Sequence, residues 1–111
     1  MIFGSRKAKH REIGPQELAA QLREGKVMVV DVREFDEFAA GHIPGAINMP
    51  LSNFQPSRLP DPQGKTLVLN CLGGKRSAMA LDKCSVAEAA VDTHLTGGFN
   101  AWEAARLPVE R

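Results

Sequence analysis

The chain has 111 residues, 43% hydrophobic and 24% charged, with a net charge of +1. That length fits one domain able to bury a core without disulfides or a structural metal, and the near-neutral balance excludes a broad field for nucleic acid or anionic lipid. No apolar run approaches the ~20 residues of a membrane helix, and the basic start carries no apolar stretch behind it, so neither a membrane segment nor a secretory signal is predicted and a cytoplasmic location is expected.

Residues 1–10 are polar and read as a loose N-terminal segment ahead of a domain over 11–111. A short strand is expected near Arg11–Ile13. Pro15 opens a helix whose apolar stripe, Leu18, Ala19 and Leu22, runs until Gly25. Lys26 to Val32 is a nearly continuous apolar run of strand length, the pattern of a strand covered on both faces. A short helix with Phe35, Phe38 and Ala39 at helical spacing should end at Gly41, and residues 46–49 make a brief strand. Residues 50–64 hold four prolines and Gly64 and read as a long surface-crossing loop. Thr66–Asn70 is the next buried strand. A helix from Ser77 to about Ala90 presents Ala80, Leu81, Cys84 and Ala87 inward; a strand over Val91–Leu95 and a last helix around Phe99–Ala105 complete the pattern. Strands alternating with helices predict an α/β fold built on a five-stranded, mostly parallel sheet flanked by helices, with ligands beyond the carboxyl ends of the strands.

That rule points at the segment Cys71-Leu72-Gly73-Gly74-Lys75-Arg76-Ser77, between a strand and a helix. Gly73 and Gly74 free the backbone to turn consecutive N–H groups inward, the helix start adds unpaired N–H groups and its positive dipole end, and Lys75 and Arg76 add charge. The result is an anion cradle with a thiol at its rim. The same electrostatics favour thiolate over thiol, so Cys71 is predicted to be a nucleophile toward an electrophile that bears an anionic group. Thiosulfate meets both demands. Attack on its outer sulfur leaves a persulfide on Cys71 and needs no cofactor. The plainer alternative, a cysteine serving only as a small hydrophobe, leaves the two glycines, the two basic residues and the helix start without a purpose. The two cysteines, Cys71 and Cys84, form no CxxC pair, and no metal site is expected.

Asp31–Phe38, Gly41–Asn48, Cys71–Ser77, and Gly97-Gly98 followed by Ala101-Trp102 and Leu107-Pro108-Val109 stand in an order and spacing that resemble the single-domain rhodanese family, over residues 13–109. The resemblance implies five mainly parallel strands flanked by helices on both faces, Cys71 as the persulfide-bearing nucleophile, and the backbone N–H groups of Leu72, Gly73, Gly74, Lys75, Arg76 and Ser77 as its binding set. It implies small sulfur donors and acceptors (thiosulfate, cyanide, thiols) or sulfur-relay proteins as partners. Asp31 and Arg33 are supporting residues: a structural ion pair is the favoured reading, with charge at the pocket rim as the alternative. His42 reads as part of a turn and Trp102 as a packing anchor.

Two features depart from the family pattern. Asp92 and His94 stand in a strand expected to be more apolar, where one face is less well covered or the two pair. The preceding helix also ends in Ala89-Ala90 without a glycine cap. Neither is expected to touch the Cys71 loop. Two rival functions remain: a persulfide carrier or regulatory module between proteins, and phosphatase or arsenate chemistry. The resembling phosphatases place five residues between Cys and Arg, whereas only Leu72 to Lys75 lie between Cys71 and Arg76, a ring sized for sulfur.

Overall fold

In the computed structural model, which describes residues 10–111, two central strands lie side by side: β2 (Val27–Asp31) and β4 (Thr66–Asn70). Their residues pair in parallel from Val27 with Thr66 to Asp31 with Asn70. The edges are β1 (Arg11–Ile13) beyond β5 (Thr93–Leu95) on one side and β3 (Ile47–Asn48) on the other, giving the order β1-β5-β4-β2-β3 with every pairing parallel. Alternate side chains serve opposite faces. Val27, Val29, Val68 and Leu95 pack with Leu18, Phe99 and Trp102, against helices α1 (Pro15–Arg23) and α4 (Gly98–Ala104). Val30, Leu67, Leu69 and Cys71 pack with Phe54, Ala80, Leu81 and Cys84, against helix α3 (Lys75–Val86) and the loop after β3. Both faces are covered, as the apolar runs of β2 and β4 predict.

The chain leaves β2 toward β3 and leaves β4 toward β5, in opposite directions across the sheet. The carboxyl ends of these two strands therefore form a switch point, the place where an open α/β sheet opens a crevice. Asp31 and Cys71 both stand there.

Several expectations need correction. Of the loose segment, residues 1–9 lie outside the described residues, whereas His10 is held 3.0 Å from Asp82. Helix α2 (Phe35–Ala40) forms through a capping box between Glu34 and Glu37, yet it buries none of its residues; Phe35 is 68% exposed and Ala39 is exposed too. Its apolar spacing does not mark a core face. Helix α3 starts two residues earlier than expected and stops at Val86, so Ala87 is exposed and Ser77 joins the inward stripe. Glu88 takes the left-handed conformation, φ 59°, that a glycine would normally supply after a helix. The loop over 50–64 does cross the surface, but two 3₁₀ turns, Leu51–Asn53 and Pro56–Arg58, and the buried Phe54 fix its first part. Asp92 and His94 do not pair: Asp92 meets Arg11 at 3.2 Å, while His94 turns under α3. Among the described residues no helix is long and apolar enough to cross a membrane.

Candidate active site

Cys71 follows the last residue of β4, and α3 begins four residues later, so the loop between them is short and taut. Gly74 caps the helix in a left-handed conformation, φ 110°, which turns its N–H back to donate to Cys71 Sγ at 3.0 Å. The N–H groups of Lys75, Arg76 and Ser77 lie in the first helical turn, where no helix carbonyl is available to them. The Gly74 N–H thus reaches the sulfur directly, and the unpaired N–H groups of the helix start follow it in the chain. The thiol is not at a rim, however: Cys71 is 1% exposed and lies beneath the loop, with Leu72 and Gly73 exposed above it.

A second loop holds the first from behind. Phe99 N–H donates to the Cys71 carbonyl at 2.7 Å, and Asn100 N–H donates to the Leu72 carbonyl at 3.0 Å. This approach is possible because residue 98 is glycine. Its φ is +61°, and a Cβ there would stand 2.5 Å from both the Cys71 and Leu72 carbonyl oxygens. Gly98 is therefore part of the site, through backbone rather than chemistry.

Of the two charged loop residues, Lys75 is exposed, but Arg76 is not a free cation. It donates to both carboxylate oxygens of Glu37, at 2.7 and 3.0 Å. The pair ties α2 to α3 across the switch point. The Arg76 guanidinium holds the Glu37 carboxyl down to about 2, and Glu37 in turn raises Arg76. Nothing in the sequence marked Glu37 as Arg76's partner, since the two are 39 positions apart.

Asp31 and Arg33 form a buried ion pair, 0% and 3% exposed. The guanidinium donates to Asp31 through Nε and Nη2, gives a further bond to the Gly41 carbonyl at 2.7 Å, and stacks on the Phe99 ring at 4.4 Å. Arg33 thus braces the turn at Gly41 and the helix behind the loop. His42 stacks on Phe38 with its Nδ1 2.7 Å from that residue's carbonyl, and Trp102 donates to the Pro108 carbonyl at 2.7 Å. Both are packed as structural residues.

Sequence reasoning set His94 aside from the loop, and here the structure differs most. His94 Nδ1 lies 2.7 Å from Ser77 Oγ, and Ser77 Oγ lies 3.5 Å from Cys71 Sγ. The signal was a histidine in an otherwise apolar strand. Cys84, by contrast, is a buried thiol of the core beneath α3; burial pushes it up, and both cysteines are free. A cavity of about 470 Å³ lies at the amino ends of β1, β4 and β5, lined by Arg11, Leu59, Lys65 and Asp92, and does not include Cys71.

A thiol under a glycine-capped helix start stands at the switch point of a parallel sheet, where open α/β folds place their ligands. The rhodanese-like domain profile matches residues 14–105, and the chain belongs to the rhodanese-like family. It is 43% identical over 96 residues to an uncharacterised protein of Synechocystis, covering 86% of this chain and 54% of that one. A sulfurtransferase of Allochromatium vinosum is 31% identical over 100 residues, covering 88% of this chain and 92% of that protein. The crystal structure of a thiosulfate sulfurtransferase from Pseudomonas aeruginosa superposes with a TM-score of 0.77 at 31% identity, over 95% of this chain and 20% of that one. The chain spans about half or less of the length of several curated relatives, down to 25%.

Proposed function

We propose that this domain is a sulfurtransferase that accepts sulfane sulfur as a persulfide on Cys71 and passes it to a thiophilic acceptor. Family membership supports sulfur transfer in general, and one observation carries the site: Cys71 Sγ receives the Gly74 N–H at 3.0 Å at the head of α3. In the first half-reaction the Cys71 thiolate attacks the outer sulfur of thiosulfate. An S–S bond forms, the donor's S–S bond breaks, and sulfite departs with the electron pair. The terminal persulfide anion is then held by the N–H groups of residues 72–77. Lys75, exposed beside the loop, draws the anionic donor; Arg76 keeps the loop against α2 through Glu37. In the second half-reaction cyanide or a thiolate attacks the terminal sulfur, leaving thiocyanate or a new persulfide and restoring the Cys71 thiolate. No step draws on a cofactor.

The test is intact-mass measurement after incubation with thiosulfate. One sulfur atom is expected on the wild type, lost on adding cyanide, and absent from Cys71→Ala. A wild type that gains no sulfur from thiosulfate or from a protein persulfide, or an alanine variant that gains it equally, refutes the reading. Loading only from a protein persulfide assigns the relay role between proteins.

A further inference from the structure

A histidine buried in a sheet needs a compensating partner. His94, 6% exposed, sits on β5 beside Leu69 of β4, on the face covered by α3. Its Nδ1 reaches Ser77, and its Nε2 lies 3.8 Å from Glu12 Oε2 on β1. The ring of His10 meets it edge-on at 5.9 Å, and His10 is bonded in turn to Asp82 of α3. Among the described residues, Glu12, His10 and, through it, Asp82 are the titratable groups facing His94 besides the path to Cys71.

Ser77 Oγ carries one proton and has three polar neighbours: His94 Nδ1 at 2.7 Å, the Gly74 carbonyl at 3.2 Å and Cys71 Sγ at 3.5 Å. Two proton arrangements satisfy it. In the first, the Cys71 S–H donates to Oγ, and the Ser77 O–H donates to an unprotonated Nδ1. In the second, Nδ1–H donates to Oγ, and the Ser77 O–H turns to the thiolate. The two differ by one proton moved from Sγ to the imidazole.

We propose that His94, acting through the Ser77 hydroxyl, takes the proton of the Cys71 thiol and so sets the pH range in which Cys71 is a nucleophile. One S–H bond breaks and one N–H bond forms; Ser77 gives its proton to Nδ1 and receives the thiol's, ending unchanged. The product pairs a thiolate, held by the Gly74 N–H, with an imidazolium facing the Glu12 carboxylate. Burial holds His94 below its ordinary value, which favours the neutral ring before the transfer; Glu12 opposes that shift and so favours the imidazolium that forms, while His10 reinforces the shift. His94 touches no reacting atom and is a positioning residue. The proposal rests on the sulfur-transfer reading for its purpose, but the proton step belongs to the free thiol.

The test is the rate of Cys71 alkylation by iodoacetamide against pH, read as the mass of the Cys71 peptide, with thiosulfate loading measured alongside. His94→Asn retains a polar atom for Ser77 but does not titrate. It is expected to slow alkylation about tenfold at neutral pH and move the profile to higher pH. Ser77→Ala should move it the same way, Ser77→Thr should restore it, and His10→Gln should leave its form unchanged. A wild-type profile in His94→Asn overturns the relay. Should that variant not fold, NMR titration of His94 in the wild-type protein decides: its midpoint is expected to move once Cys71 is alkylated, and an unmoved midpoint overturns the proposal. Normal thiosulfate loading with an unresponsive His94→Asn removes the relay alone; absent loading with a shifted profile removes the proposed reaction alone.

Discussion

Replacing Gly98 by alanine puts a single methyl group where two loops meet. The φ of +61° costs an alanine about 1 kcal/mol by itself. The larger effect is steric. The new Cβ would lie 2.5 Å from the Cys71 and Leu72 carbonyl oxygens, which are backbone atoms that no rotamer change can move aside. The α4 start must withdraw, and the two bonds from Phe99 and Asn100 N–H go with it, each contributing about 1 kcal/mol. The sum is about 3 kcal/mol. With a urea slope of about 1–3 kcal/mol/M, the unfolding midpoint should fall by about 1 M or more. Cys71 alkylation should also lose its wild-type rate, because the carbonyl that anchors Cys71 is released. Gly73→Ala is the control: no atom lies within 4 Å of its Cβ position and its φ lies outside the left-handed region, so a change within about 0.5 kcal/mol is expected. If Gly98→Ala unfolds within about 1 kcal/mol of the wild type and alkylates normally, the account of the second loop as a brace is wrong.

Three further outcomes are expected. Glu37→Gln should cost about 1 kcal/mol at neutral pH, a modest figure because the ion pair with Arg76 is about one-third exposed and screened. The folded-state value of Glu37, about 2, lies below the ordinary 4.5, so the stabilisation is complete above 4.5 and fades as pH falls toward 2; urea unfolding of both proteins across that range should converge. Cys84→Ala should lose about 1 kcal/mol from the core under α3 while sulfur loading stays at the wild-type level, as intact mass would show. Glu88→Gly should raise the thermal midpoint, gaining up to about 1 kcal/mol by relieving the left-handed residue after α3.

Much of this protein is written locally. The apolar runs of β2 and β4 announce a sheet buried on both faces, because a short strand with consecutive apolar residues has to cover both of its sides. The Cys71–Ser77 segment likewise carries its own geometry: a glycine that turns left-handed, a helix start, and a thiol within reach of the Gly74 N–H. The faces of the helices were less legible. Spacing alone suggests a core stripe on α2, yet that helix lies at the mouth of the switch point and exposes Phe35. What sequence could not decide are the contacts between distant segments. Glu37 neutralises Arg76, Gly98 lets α4 grip the Cys71 loop, and His94 reaches Ser77 from 17 positions away. Each pairing depends on the order in which the strands lie, β5 beside β4 and β4 beside β2, and that order is set by packing of both sheet faces at once rather than by any one stretch of chain.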